Sequence, residues 1–284
     1  LAALLGRDPF DVDEARGQGA ELVIFPELCV VGYPPKDLLL KPAVIEQCER
    51  AVAKIASSCT DVAAIVGYPL MSEKQRGRPL RNAASLCADG RIVQTHFKSL
   101  LPTYDVFDES RYFEPGPAVD LSQWSGRKLG ISVCEDMWND QAIFARPLYH
   151  DNPIEQLAAA GAELFINCAA SPYELNKHEF RLRLLAHAAS WFSLPVIYVS
   201  QVGGNDELIF DGSSCVFDAR GELIAHAKDF GEDLLLVDLP LEGEGEANGR
   251  IDKPRQGMAS VYAALTLGLR DYCRKCGFRS IVLG

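Results

Sequence analysis

The chain has 284 residues, of which 48% are hydrophobic, and its 28 basic and 39 acidic side chains give a formal net charge of −11. This negative charge argues against a nucleic-acid-binding surface and against binding to an anionic membrane. No apolar run approaches the roughly 18 uncharged residues of a membrane span, and no signal peptide is recognisable, so a cytoplasmic location is expected.

The apolar pattern predicts short buried strands that alternate with helices. The predicted strands are continuous apolar runs, typical of strands covered on both faces, and span 21–27, 62–70, 128–136, 162–170 and 194–203. The predicted helices span 41–59, 152–162, 177–193 and 258–278. Hairpins with a DG or RG turn are predicted at 82–98 and 212–228. This order predicts an α/β layered fold with a mixed sheet and helices outside it.

The composition changes near the C-terminal end. Residues 239–257 are rich in Gly, Glu and Pro, which predicts a linker or domain edge. A helix follows, and the final RSIVLG resembles the start of another strand. We therefore expect a first domain over residues 1–240, a linker over 241–257 and the beginning of a second domain over 258–284.

Nine cysteines are scattered along the chain. Several lie in or beside apolar strands, which is typical of reduced thiols rather than of a disulfide framework. Cys273 and Cys276 form a CxxC, but neither a second CxxC nor an HxxxH pair accompanies it. We therefore expect no metal site.

Three side chains suited to covalent catalysis each stand at the end of a predicted strand. Glu27 ends LVIFPE, Lys98 closes the first hairpin, and Cys134 follows GISV. Loops at strand ends are where active-site residues gather in α/β proteins. Taken singly, each residue has an ordinary alternative, namely a solvated acid, a surface lysine or a buried structural thiol. Taken together, the ordered set favours a catalytic site.

The neighbours of Cys134 restrict how it could act. Two acidic residues follow it directly, and their negative charge raises the pKa of a thiol. A nucleophilic Cys134 therefore needs a cation and a base from elsewhere in the chain, and Lys98 and Glu27 could supply them. A Cys–His pair is the alternative, for which His96 has the most comparable position at a strand end.

Several segments resemble the nitrilase, or carbon–nitrogen hydrolase, superfamily. They are LVIFPELCVVGYPPKDLL (22–39), LPTYDVFDESRYFEPG (101–116), GISVCEDMW (130–138), NCAASPYELNKHEFR (167–181) and residues 206–239. The GYPPKDLL and VFDESRYF motifs are most similar to the glutamine-amidase domains of glutamine-dependent NAD synthetases. The resemblance implies a four-layer α-β-β-α sandwich.

The same resemblance implies a Glu–Lys–Cys triad that hydrolyses glutamine to glutamate and ammonia. Glu27 would be the general base, Lys98 the cation, and Cys134 the nucleophile that forms a γ-glutamyl thioester. Glu109 would support Lys98 and the proton path. Lys98 and the backbone N–H of Glu135 would hold the developing oxyanion.

The resemblance also implies a set of residues that bind the substrate glutamine. Tyr33 and Tyr104 would line the pocket. Glu135, by its charge and not by the resemblance, is a candidate partner for the α-ammonium group. Ser171 and Lys177 would bind the backbone end of glutamine, where a lysine suits a carboxylate. Ordinary loop or helix-cap roles are the alternative, and for Ser171 a capping role before the next helix is credible.

Partners and cofactors follow from the same resemblance. Ammonia would pass through a channel to an ATP-dependent synthetase domain, beginning at 258–284, that converts deamido-NAD to NAD. ATP and Mg²⁺ are expected at that domain and no cofactor at the first one, and a homo-oligomer is expected. Two alternatives stay open: a stand-alone amidase for another small amide, and an inactive domain kept as an oligomerisation module.

Overall fold

The computed structural model describes residues 12–74, 76–117, 119–240 and 248–282. The α-helices in these ranges are α1 Val12–Gly17, α2 Pro42–Ser58, α3 Pro153–Ala159, α4 Lys177–Phe192 and α5 Met258–Cys276. Short 3₁₀-helices span Lys36–Leu40, Glu109–Arg111 and Cys134–Met137. None of the helices in the described ranges combines the length and the apolar character that crossing a membrane requires.

Two larger sheets form the centre of the fold. The strands of the first are β1 Leu22–Ile24, β2 Ala63–Met71, β3 Leu80–Ala88 and β4 Arg91–Phe97, in that spatial order. The strands of the second are β5 Ser122–Trp124, β6 Arg127–Val133, β7 Leu164–Ala169, β8 Val196–Ser200, β11 Cys215–Phe217 and β12 Leu223–His226. Their spatial order is β12-β11-β8-β7-β6-β5, with β6, β7 and β8 parallel.

Two small hairpin-like pairs lie outside these sheets. They are β9 Val202–Asn205 with β10 Leu208–Asp211, and β13 Val237–Asp238 with β14 Asn248–Gly249. Both pairs are antiparallel.

Alternation along β2 shows how the layers stack. Ala63 and Ile65 belong to the core shared with the second sheet, and this core includes Leu129 of β6 and Leu185 of α4. Ala64 and Val66 point to the opposite face, where they pack with the apolar face of α2. Because successive side chains point to opposite faces, β2 needs apolar residues throughout, which explains its continuous hydrophobic run. The predicted four-layer α-β-β-α sandwich is thus confirmed.

Most predicted elements have an observed counterpart. Among the differences, α1, β5 and β10 were not predicted, and the strand predicted at 128–136 ends at Val133 before a 3₁₀-helix. The strand predicted at 194–203 divides into β8 and β9, and Gln201 between them bonds the backbone N–H and carbonyl of Tyr33 at 3.1 and 3.0 Å. The strand predicted within RSIVLG is wrong for its described residues 279–282, which have no regular structure, and its last two residues lie outside the described ranges.

Helix α5 packs against the β9–β10 hairpin. The carboxylate of Asp271 accepts a hydrogen bond from the N–H of Gly204 at 2.8 Å, and Lys275 donates to the carbonyl of Gly204 at 2.7 Å. A Cβ at Gly204 would lie 2.9 Å from Cα of Gly268, so glycines allow this close approach. The proposed start of a second domain is therefore in contact with the first. Residues 241–247 of the predicted linker lie outside the described residues.

Candidate active site

The ends of three strands bring Glu27, Lys98 and Cys134 to one buried region. Lys98 directly follows β4, Cys134 directly follows β6, and Glu27 lies in the turn after β1. That turn packs so tightly on β2 that a Cβ at Gly67 would lie 2.4 Å from the carbonyl oxygen of Pro26. A glycine is therefore required opposite the turn that carries Glu27.

Lys98 lies between two carboxylates. Its Nζ is 2.7 Å from Oε1 of Glu27 and 2.7 Å from Oε1 of Glu109, the first residue of the second 3₁₀-helix. Burial alone would lower the pKa of Lys98, but the charges of Glu109 and Glu27 outweigh burial and hold that pKa well above its ordinary value. The two carboxylates therefore favour the ammonium form of Lys98.

Neutral donors complete the surroundings of the two carboxylates. Nδ2 of Asn82 donates to Oε1 of Glu27 at 2.7 Å, and the N–H of Ala170 donates to Oε2 of Glu27 at 3.0 Å. The hydroxyl of Tyr33 donates to Oε1 of Glu109 at 2.8 Å. Burial, with a contribution from Glu27, raises the pKa of Glu109 even though Lys98 opposes the shift.

Cys134 is the first residue of the third 3₁₀-helix, at the sharp turn where the chain leaves β6. Its φ of 41° lies in the left-handed region, which non-glycine residues rarely adopt and which recurs at functional sites. Asn167 of β7 donates to its carbonyl oxygen at 3.4 Å, and so supports the turn from the neighbouring strand.

The thiol of Cys134 is electrostatically coupled to the carboxylate cluster. Burial raises its pKa well above the ordinary value, Glu27 raises it further, and Lys98 and the N–H of Ala170 oppose the rise. The resting side chain is therefore a thiol at neutral pH. A nucleophilic role would therefore need a base to remove the thiol proton, and Glu27 is the carboxylate with the strongest influence on the pKa of Cys134.

Asp136 joins the turn at Cys134 to the loop that begins at Lys98. One carboxylate oxygen accepts hydrogen bonds from the N–H groups of Ser99 and Leu100 at 3.0 and 2.9 Å, and the other accepts from the N–H of Val133 at 3.0 Å. Burial raises the pKa of Asp136 to about 7, against the effect of these three donors. Asp136 therefore fixes the two segments relative to each other.

The predicted substrate residues Tyr104 and Glu135 are in contact. The hydroxyl of Tyr104 lies 3.0 Å from both carboxylate oxygens of Glu135, and the hydroxyl of Tyr149 donates to Oε1 at 3.0 Å. Burial raises the pKa of Glu135, which the Lys98 charge and the two tyrosines oppose. The carboxylate is thus held in place immediately after Cys134.

Ser171 and Lys177 approach the same edge of the second sheet. Ser171 is buried just beyond β7, and β7 runs parallel to β6, so its end lies on the same side as Cys134. The capping alternative for Ser171 is wrong, because α4 begins at Lys177 and its N-cap is Asn176 in a left-handed conformation. Lys177 bonds Glu174 at 2.8 Å.

The ammonium group of Lys177 also lies over the ring of Trp138, close in the chain to Cys134. Its Nζ is 5.6 Å from the ring centroid of Trp138, which directly follows the 3₁₀-helix of Cys134. Lys177 is thereby directed toward the segment that carries the thiol.

The structure does not favour the Cys–His alternative. His96 lies within β4, where its Nε2 is 2.7 Å from Oγ of Ser122 in the neighbouring sheet. Burial lowers the pKa of His96 to about 4, so the ring is neutral at physiological pH. Within the described ranges, no group of three or more His, Cys, Asp or Glu side chains could hold a metal ion.

Four residues of the site were not identified from the sequence. Asn82, Asp136, Tyr149 and the backbone N–H of Ala170 act through contacts with residues distant in the chain. For Asn82 there was one usable signal, because it is an amide in the otherwise apolar, inward-facing part of a predicted hairpin strand. Tyr149 lies in a segment without regular structure and offered no comparable signal.

Comparisons with known proteins agree with this architecture. Residues 12–248 match the family model described as carbon-nitrogen hydrolase. A protein of Synechocystis sp. named glutamine-dependent NAD(+) synthetase is 41% identical over 277 residues, which are 95% of this chain and 50% of that protein. The chain thus spans about half the length of the curated relatives it matches.

Solved structures of two proteins are also similar to this chain. The glutamine-dependent NAD+ synthetase of Acinetobacter baumannii, solved in complex with ADP, has a TM-score of 0.81 and 31% identity. That match covers 95% of this chain and 48% of the other. An amidase from Nesterenkonia sp. has a TM-score of 0.63 at 22% identity over 76% of each chain, which shows a common fold.

Proposed function

This chain belongs to the carbon–nitrogen hydrolase family, and we propose that it hydrolyses glutamine to glutamate and ammonia with Glu27, Lys98 and Cys134 as its catalytic residues. The observation that carries the proposal is the buried ion-pair cluster of Lys98 with Glu27 and Glu109, electrostatically coupled to the Cys134 thiol. Amide hydrolysis through a thioester requires a thiol and a base, and a nearby cation can stabilise the oxyanion that forms.

In the proposed first step, Glu27 takes the thiol proton while the sulfur of Cys134 attacks the side-chain carbonyl carbon of glutamine. The raised pKa of the thiol supports proton removal during attack rather than a resident thiolate. The carbonyl oxygen becomes an oxyanion, for which the Lys98 ammonium and the N–H of Glu135 are the proposed donors. One such donor lowers the activation barrier by on the order of 3 kcal/mol.

In the proposed second step, the carbon–nitrogen bond breaks and Glu27 returns its proton to the departing nitrogen, which leaves as ammonia. A γ-glutamyl thioester remains on Cys134. Glu27 then takes a proton from water, the hydroxide attacks the thioester carbon, and glutamate leaves as the sulfur regains its proton. Glu109 supports Lys98 throughout, because it supplies the second carboxylate that keeps the ammonium charged.

For substrate binding we propose the residues around this cluster. Glu135 is the partner of the α-ammonium group, since two tyrosine hydroxyls hold its carboxylate in one orientation. Lys177 and Ser171 bind the α-carboxylate end, and Tyr33 and Tyr104 line the pocket. Charge complementarity at both ends would favour a free amino acid over a simple amide.

We further propose that the ammonia is used by an ATP-dependent synthetase domain. The support is that the relatives, about twice as long as this chain, are named glutamine-dependent NAD(+) synthetase and that one of them was solved with ADP. That domain, beginning at 258–284, would use ATP and Mg²⁺ to convert deamido-NAD to NAD in a cytoplasmic homo-oligomer. A channel would keep ammonia away from water, where it becomes ammonium. This matters because ammonium is not a nucleophile.

The test uses the full-length gene product and its Cys134→Ala variant. We expect glutamine hydrolysis by the wild type that rises with ATP and deamido-NAD, and loss of glutamine use but retention of ammonia-dependent NAD synthesis in the variant. A glutamine hydrolysis rate that does not change with ATP or deamido-NAD, together with faster turnover of another small amide, would favour a stand-alone amidase. The absence of any amide hydrolysis would favour an inactive oligomerisation module.

A further inference from the structure

Asn82 contacts all three charged members of the cluster. Its Nδ2 donates to Oε1 of Glu27 at 2.7 Å and reaches Oε2 of Glu109 at 3.5 Å. Its backbone carbonyl accepts a hydrogen bond from the N–H of Lys98 at 2.9 Å, which continues the ladder between β3 and β4. The side chain is only 1% exposed, so these contacts are made away from water.

The charges of the cluster explain why a neutral donor is useful at this position. Two carboxylates and one ammonium leave one negative charge in excess when all three groups are ionised, and buried charge without a partner is costly. The Lys98 ammonium bonds Oε1 of each glutamate. The amide of Asn82 adds N–H donors without adding a proton that can be transferred. It therefore stabilises the carboxylates while proton transfer stays with Glu27.

The orientation of the Asn82 amide is set by the carboxylates alone. Its Oδ1 is buried without a hydrogen-bond partner among the described residues. The reversed orientation would direct this oxygen at two negatively charged carboxylate groups. An unsatisfied buried oxygen costs about 1 to 3 kcal/mol, so the arrangement sacrifices stability to direct Nδ2 at Glu27 and Glu109. Features of this kind concentrate at functional sites.

We propose that Asn82 is a positioning residue that holds the Glu27 carboxylate in the orientation needed to accept the Cys134 proton, an inference that rests on the proposed glutaminase function. With Oε1 held by Asn82 and Lys98, and Oε2 held by Ala170, the carboxylate cannot rotate. Loss of Asn82 leaves Lys98 as the partner of Oε1 and frees one side of the group.

The test compares Asn82→Ala and Asn82→Asp with Ser85→Ala in the full-length protein. Ser85 is a matched control because it is buried in the same strand and bonds Tyr68 and Thr95 at 3.0 and 2.7 Å, away from the carboxylates. Glutaminase kcat and KM are measured from pH 5.5 to 9. In parallel, the pH dependence of iodoacetamide alkylation of Cys134 is followed by peptide mass spectrometry, and folding is checked by urea denaturation.

For Asn82→Ala we expect kcat to fall about 10- to 100-fold with little change in KM, since a misplaced base affects the chemical step. The acidic limb of the profile should move to higher pH, because hydrogen bonds that favour the carboxylate form are lost. Asn82→Asp keeps the shape but adds a third carboxyl group, so its activity should be lowest at alkaline pH and partly recover toward acidic pH. Ser85→Ala should retain the wild-type profile.

The proposal is overturned if both Asn82 variants fold and keep the wild-type kcat and pH profile, or if Ser85→Ala lowers kcat by the same factor. The alkylation measurement separates this failure from failure of the proposed function. If the wild type hydrolyses no glutamine, a shift in the Cys134 alkylation profile of Asn82→Ala, absent in Ser85→Ala, still supports the positioning role. If Asn82→Ala does not fold, the isosteric Asn82→Asp variant tests the positioning role through its pH profiles of kcat and of Cys134 alkylation.

Discussion

The Nζ atom of Lys98 lies 2.7 Å from Oε1 of Glu27, and each of these side chains is no more than 1% exposed. The chain positions that carry them are 71 residues apart. Such a pair contributes to stability only if both partners are present, because the charge that remains after removal of one is buried without compensation. The domain is therefore expected to need this ion pair for its stability, apart from any role of the pair in the proposed catalysis.

Replacement of Lys98 by methionine tests that dependence. We expect Lys98→Met to lower the free energy of unfolding by about 3 to 5 kcal/mol, since it leaves Glu27 and Glu109 as adjacent buried acids. Lys36→Met is the control, because Lys36 pairs with Asp206 and Glu207 at 3.2 Å on the exposed surface. That substitution should cost at most about 1 kcal/mol in urea denaturation. Equal losses of unfolding free energy in the two variants would contradict the prediction that the buried cluster depends on Lys98 for its stability.

The requirement for glycine at position 67 gives a second prediction. A Cβ there would lie 2.4 Å from the carbonyl oxygen of Pro26 and 2.7 Å from the backbone N of Leu28, so the turn of Glu27 must move. We expect Gly67→Ala to reduce glutaminase kcat at least about 100-fold, because a general base displaced by about 1 Å loses most of its effect.

Gly17→Ala is the matched control for that substitution. A Cβ at Gly17, the last residue of α1, meets nothing within 4 Å. Its activity and its midpoint of urea denaturation should equal those of the wild type. Full activity in Gly67→Ala would contradict the prediction, because it would show that the turn can move without a loss of Glu27 function.

The hydrogen bonds of Asp136 to Ser99, Leu100 and Val133 act as a clamp between two segments of the site, so its replacement should lower both stability and activity. Asp136→Asn keeps the size of the side chain but turns one acceptor into a donor that faces a backbone N–H. We expect a loss of about 2 kcal/mol in unfolding free energy. We also expect a lower kcat with KM nearly unchanged, because the clamp joins the turn of Cys134 to the segment after Lys98. A change in KM alone would indicate a substrate-binding role instead.

The pair formed by half-buried His178 and buried His226 predicts a pH dependence of stability. His178 lies 3.1 Å from Nη2 of Arg181 and its ring centroid is 5.1 Å from that of His226. Burial, together with the charges of Arg181 and His226, lowers the pKa of His178 to about 4, while Asp211 opposes the shift. A depressed pKa means that the folded state favours the neutral ring. The stability linked to this ring is therefore present above about pH 6.5 and is lost as the pH falls toward 4.

The measurement compares the wild type with His178→Gln by urea denaturation at pH 7 and pH 5. Relative to the wild type, the variant should gain about 1 to 2 kcal/mol between pH 7 and pH 5, since it has no ring to protonate. Ser190→Ala, on the exposed side of the same helix, is the control and should differ from the wild type equally at both pH values. A constant difference for His178→Gln would contradict the depressed pKa.

Much of the fold, and the placement of Glu27, Lys98 and Cys134 where strands end, could be predicted from the sequence, because local patterns carry that information. Continuous apolar runs indicated doubly covered strands, and Glu27, Lys98 and Cys134 stand where those strands end. The division into two sheets followed from the resemblance and not from the pattern, since periodicity does not show which strands pair.

The supporting contacts could not be predicted, because they depend on where distant segments meet. Asn82 is 55 residues from Glu27 in the chain, and the N–H of Ala170 is 143 residues from it. A backbone N–H carries no residue-specific signal at all. Hairpin β9–β10 was also missed, because its first strand, VGGN, is short and rich in glycine, which weakens a strand pattern.

The central claim is that Cys134 is the nucleophile for glutamine and that Glu27 activates it. The most direct measurement treats the full-length protein with the glutamine-mimicking electrophile diazo-oxo-norleucine and locates the adduct by peptide mass spectrometry. We expect one adduct, on Cys134 alone among the nine cysteines, and loss of that adduct in Glu27→Gln. An unlabelled Cys134, or labelling that is equally fast in Glu27→Gln, would contradict it.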